Sequence, residues 1–113
     1  MLERNFKTKY QKRWKERGFV IVQNVAGAGT PKGFPDTTVI SPFGETFYIE
    51  WKTSRTARRQ PLQEYWIDRL TEMKQKAWFV YPENIREIDS EKQIGRHKQS
   101  SLRQHRRQSP CFS

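Results

Sequence analysis

The chain has 113 residues and carries 22 Lys+Arg against 12 Asp+Glu, a formal net charge of +10. That length suits one small domain and excludes two. Only 34% of the residues are hydrophobic, yet 7 Phe, 4 Trp and 4 Tyr are present, which excludes a wholly disordered chain and also a large core.

In chain order, residues 3–17 predict a helix. Leu2, Phe6, Tyr10 and Trp14 recur every four residues and form one apolar stripe. Arg13 and Arg17 interrupt its C-terminal end, and Gly18 is a helix stop. Phe19 to Val22 predicts a strand. A Gly/Pro loop from Ala26 to Pro35 follows. Thr37 to Ser41 and Thr46 to Lys52 predict two strands joined by the turn signal Pro42-Phe43-Gly44, so residues 36–52 make a hairpin.

A basic segment, Thr53 to Arg59, precedes a helix over about 60–74. Pro61 suits its first turn, and Leu62, Tyr65, Trp66, Leu70 and Met73 mark its buried face. Ala77 to Tyr81 is apolar throughout and predicts a central strand. A short helical turn is expected at Glu83 to Ile88. From Ser90 onward no periodicity remains, which reads as a basic tail. The expected organisation is one α/β domain, 1–89, with the order αβββαβ and helices packed on a mixed sheet, followed by the tail 90–113. The last two strands are expected to be parallel, because a helix connects them.

The charge is segregated. Residues 1–18 hold seven Lys/Arg against two Glu, and residues 90–113 hold six against one. Residues 19–89 hold nine of each sign. Clustered Lys and Arg at both ends point to a polyanion partner, ahead of solubility alone or an anionic membrane surface. No apolar run approaches the ~20 residues of a membrane span, so no membrane partner is expected. The basic N-terminus lacks the apolar stretch of a secretory signal. Cys111 has no second cysteine to pair with, so a reducing cytoplasm is the expected compartment. No Cys/His cluster has zinc-ligand spacing.

The hairpin gathers the chemistry. With its turn centred on Phe43, residues whose numbers sum to 86 face each other, which sets Asp36 opposite Glu50 with Cβ atoms about 5 Å apart. Lys52 lies two residues on and shares their face, whereas Ile49 and Trp51 point away. Opposed carboxylates repel, and a hard divalent cation relieves that repulsion. Mg²⁺ bound there would leave Lys52 to stabilise charge on a phosphate. A solvated face with a cross-strand ion pair is the alternative reading of the same residues. Arg55, Arg58 and Arg59 follow the hairpin directly and are candidate phosphate contacts, as are Lys32 in the loop and Lys7 and Lys12 on the first helix. The four tryptophans occupy apolar positions and read as core.

At these residues the sequence resembles the PD-(D/E)XK nuclease superfamily. The matching pattern is Pro35-Asp36, thirteen residues, then Glu50-Trp51-Lys52, in the same αβββαβ order. Within the superfamily it resembles the small VRR-NUC and Holliday-junction-resolvase-like nucleases, often phage-encoded. Those share a Gly-rich stretch before Pro-Asp, a Thr after the catalytic Lys, a basic segment and a helix opening with Gln. The resemblance covers residues 3–82 and implies a restriction-endonuclease-like fold. It implies Asp36 and Glu50 as metal ligands with the main-chain carbonyl of Trp51, Lys52 as the catalytic lysine, and Gln63 as the helix glutamine. Gln60 competes for that last role but lies farther from the apolar face. Many relatives add an acidic residue on the first helix. Glu3 is chosen over Glu16 because it lies about 40° rather than about 100° from the stripe.

The activity so implied is a Mg²⁺-dependent DNA endonuclease, with Mn²⁺ as a substitute. Its substrate would be branched or structured DNA, cut by a homodimer. The alternative is a non-catalytic nucleic-acid-binding protein that uses the basic helix and tail.

Overall fold

The computed structural model describes residues 3–92 except 26 and 28. Leu2 and the tail beyond residue 92 lie outside the described residues. The elements are helix α1 (Glu3–Glu16), strands β1 (Val20–Gln23), β2 (Thr37–Ile40) and β3 (Thr46–Trp51), helix α2 (Pro61–Glu72), strand β4 (Lys76–Val80) and a π-helical segment, Glu87–Lys92.

The strands form one mixed sheet in the order β1-β2-β3-β4. The first two pairings are antiparallel and β3–β4 is parallel. The β2–β3 register is set by its turn. Ser41 N donates to Glu45 O at 2.7 Å, Ser41 Oγ accepts from Phe43 N at 2.9 Å, and Gly44 sits at φ +96°. A three-residue loop with glycine in the left-handed region is a standard hairpin closure. It pairs Ile40 with Thr46 and Thr37 with Ile49, the register in which partner numbers sum to 86.

Strand alternation then splits the side chains between two layers. Val39, Phe47, Ile49 and Trp51 pack with Phe6 and Trp14 of α1 and with Phe19, Val80, Ile85 and Ile88. On the other face Tyr48, Ala77 and Phe79 pack with Ile67 and Leu70 of α2 and with Phe34 of the loop.

Two expectations are corrected. β4 is not central: among the described residues it pairs only with β3, at the end of the sheet. Beyond Lys76 it is apolar because helical layers cover both of its faces, Ala77 and Phe79 meeting α2 while Val80 meets Ile85 and Ile88. The folded segment also passes the boundary expected at residue 89, because the π-helical stretch runs to Lys92.

That segment explains the broken stripe of α1. Asp89 is buried and accepts a 2.8 Å hydrogen bond from Trp14 Nε1. Arg13 Nε and a terminal nitrogen of Arg17 each lie 3.3 Å from its carboxylate. The two arginines, although partly exposed, thus reach a buried anion. Asp89→Ala leaves the indole N–H without an acceptor and is expected to cost about 2–3 kcal/mol. Asp89→Asn keeps an acceptor and loses only the partly exposed ion pairs, for about 1 kcal/mol or less. Urea unfolding of the two variants measures both.

Candidate active site

The end of β3 builds the site. Glu50 and Lys52 flank Trp51, whose ring lies in the α1-side core, so both charged side chains turn toward α2. There the α2 residue Gln63 joins them. Its Nε2 donates to Glu50 Oε2 at 3.1 Å, and its Oε1 accepts from Lys52 Nζ at 2.7 Å. Lys52 Nζ also donates to the main-chain carbonyl of Arg58 at 3.0 Å. An ammonium has three N–H groups, so these two bonds leave one for a substrate oxygen.

Gln63 is placed by the start of its own helix. Gln60 precedes α2, Pro61 opens it, and Gln60 N donates to Gln63 Oε1 at 3.1 Å. One amide therefore caps the helix and bridges the site. Gln60, the competing choice, contributes its backbone N–H to that arrangement.

Glu50 is only 7% exposed, which does not fit a solvated cross-strand ion pair. Asp36 precedes β2, one register step beyond the Thr37–Ile49 pair, and so stands opposite Glu50. Asn24 holds its backbone, with Asn24 N donating to Asp36 O at 2.8 Å and Asn24 Nδ2 to Pro35 O at 2.9 Å. Nothing in the sequence pattern marked Asn24, because its partners lie across an eleven-residue loop.

The other candidates fall in three places. Arg59 lies over the Phe79 ring, 4.3 Å from its centroid, beside Lys52. Arg55 is exposed in the same segment. Lys32 is exposed on the loop and lines a cleft of about 450 Å³ with Gly33, Gln60, Pro61, Leu62 and Gln63. Lys7 and Lys12 sit on α1, whose layer covers the face of the sheet opposite Gln63. Glu3 begins α1, and its side chain lies outside the described residues; Glu16 ends that helix.

Two opposed carboxylates are hard oxygen donors, a chemistry that suits Mg²⁺ or Mn²⁺. Among the described residues no group of three or more His, Cys, Asp or Glu converges. An ion held by Asp36 and Glu50 alone would take its remaining ligands from water or substrate oxygens.

The topology, a mixed four-stranded sheet flanked by helices, is that of the restriction-endonuclease-like α/β class. Within it, the chain shares its fold with a solved VRR_NUC domain, of the PD-(D/E)XK nucleases: TM-score 0.66, 19% sequence identity, 80% of this chain and 97% of that one covered. No family model matches the sequence, and neither does any curated protein.

The cleft depends on Gly33. Its φ is +85°, and a Cβ there would lie 2.5 Å from Leu62 Cβ. Trp66 Nε1 donates to the adjacent Lys32 O at 3.1 Å and so ties the loop to α2. Gly33→Ala is expected to push the loop off the helix, to cost about 1–3 kcal/mol, and to shift the Trp66 indole resonance. Chemical denaturation and NMR check both.

Proposed function

We propose that this chain is a Mg²⁺-dependent endonuclease that hydrolyses phosphodiester bonds in branched or structured DNA. The observation that carries the reading is a buried Glu50 set opposite Asp36, with Lys52 locked beside it through Gln63. The shared VRR_NUC fold supports it.

Asp36, Glu50 and the carbonyl of Trp51 would hold the metal. The ion, when bound, offsets charge on the scissile phosphate and acidifies water. Lys52 directs its remaining N–H at a phosphate oxygen, where negative charge grows as water attacks phosphorus. Gln63 holds that ammonium and the Glu50 carboxylate in fixed relation, so neither must reorganise as DNA arrives. Arg55, Arg58, Arg59 and Lys32 surround the centre and contact flanking phosphates, which supplies affinity without base readout. Lys7, Lys12 and the basic tail extend that field.

A four-way junction is two-fold symmetric, and a two-fold dimer would cut its paired strands. Apolar surface for such a dimer exists at the β1 end of the sheet, where Val20, Val22 and Ile40 are exposed.

The test is cleavage of labelled four-way junction, flap, single-stranded and duplex DNA with Mg²⁺, Mn²⁺ or EDTA. Cutting of branched DNA that EDTA abolishes is expected. Asp36→Ala and Glu50→Ala should remove it, and Lys52→Ala should slow it about 10²–10³-fold. Binding of the same DNA without cutting in either metal would replace this reading with a non-catalytic nucleic-acid-binding protein.

A further inference from the structure

Thr37 follows Asp36 and points to the opposite face of the sheet. Its side chain is fully buried in the α1-side core, where a hydroxyl has no packing advantage over a methyl. Three polar groups meet its hydroxyl. Trp51 Nε1 donates to Thr37 Oγ1 at 2.9 Å. The same oxygen lies 3.0 Å from Asp36 Oδ1 and 3.1 Å from Gln23 Oε1.

A hydroxyl has one proton and two lone pairs, and an indole N–H can only donate. The Trp51 bond therefore occupies a lone pair and leaves the hydroxyl proton for Asp36 or Gln23. Of the two acceptors the ionised carboxylate is favoured, since a bond to an ionised group is roughly twice as strong as one between neutral groups.

We infer that Thr37 is a positioning residue for Asp36, and that Trp51 acts through it. The run from the Trp51 indole N–H through the Thr37 hydroxyl to Asp36 Oδ1 sets the rotation of the carboxylate. Trp51 is also the residue between Glu50 and Lys52. One buried indole thus registers all three charged groups of the site, two by covalent adjacency and the third by this relay. The inference rests on the reading of Asp36 as a metal-holding carboxylate.

The test uses Thr37→Val, which removes the hydroxyl and keeps the shape, and Thr37→Ser, which keeps the hydroxyl. Mn²⁺ binding, followed by electron paramagnetic resonance without DNA, is expected to weaken about tenfold or more in the valine variant and to stay near wild type in the serine variant. Equal Mn²⁺ affinity in all three proteins overturns the inference. A second readout needs no metal. The Trp51 indole resonance, assigned with Trp51→Phe, is expected to move in Asp36→Asn, because the hydroxyl that accepts the indole proton loses an ionised acceptor. An unmoved resonance assigns the hydroxyl proton to Gln23 and also overturns it. If wild type binds no Mn²⁺, the metal reading falls, and the indole resonance alone decides the relay. If the valine variant fails to fold, the serine and Asp36→Asn measurements decide it.

Discussion

The pleat at Glu50-Trp51-Lys52 governs this molecule. Trp51 is 2% exposed, stacks on Trp14 at 5.9 Å between ring centroids and meets Phe6 edge-on at 5.5 Å. A slip of one residue would drive Glu50 and Lys52 into that aromatic core and expose the indole. Losing a buried Trp side chain costs roughly 3–5 kcal/mol, before any penalty for burying unpaired charge. The packing of one apolar residue therefore aims its two charged neighbours. Elements without a site residue of their own contribute through it: the 87–92 segment buries Asp89 against Trp14, and Trp14 supports Trp51.

The amide at position 63 has a chemistry that no charged side chain supplies. It must donate to a carboxylate and accept from an ammonium at once. A glutamate there would lose the donor to Glu50 and set a third carboxylate beside it. A lysine or arginine could not accept from Lys52. Both lone pairs of Gln63 Oε1 are in use, one by Lys52 and one by the Gln60 backbone. The start of α2 and the position of the ammonium are consequently one structural decision.

The register of the hairpin was legible because a three-residue turn with glycine allows little choice. Once it is centred on Phe43, the alternation of strands places Asp36, Glu50 and Lys52 on one face without further information. The place of β4 was not legible. An apolar run shows that both faces of a strand are covered, but not whether a further strand lies beyond it. Asp89 was hidden for a different reason. It is the last residue before the polar run read as a tail, and its partners Trp14 and Arg17 are 75 and 72 residues away. Only the arginines interrupting the α1 stripe hinted at a buried anion. Thr37 and Asn24 were likewise silent, since a Thr suits any strand and an Asn suits any strand end.

The two opposed carboxylates are held by different means. Glu50 lies within β3, paired with Phe79 of β4, and its carboxylate is tied to α2. Asp36 lies just outside the ladder, at the exit of a loop rich in glycine. The strand ladder alone does not fix a residue there. Asn24 supplies the anchor. It stands before the loop and bonds residues after it, through its backbone to Asp36 O and through its amide to Pro35 O and Thr38 Oγ1, the last at 3.0 Å. The loop is thereby closed at its neck. Farther along, the Trp66–Lys32 bond and the packing of Phe34 hold the loop on α2. Asp36 is thus kept in register with Glu50 by bonds that do not pass through the glycines.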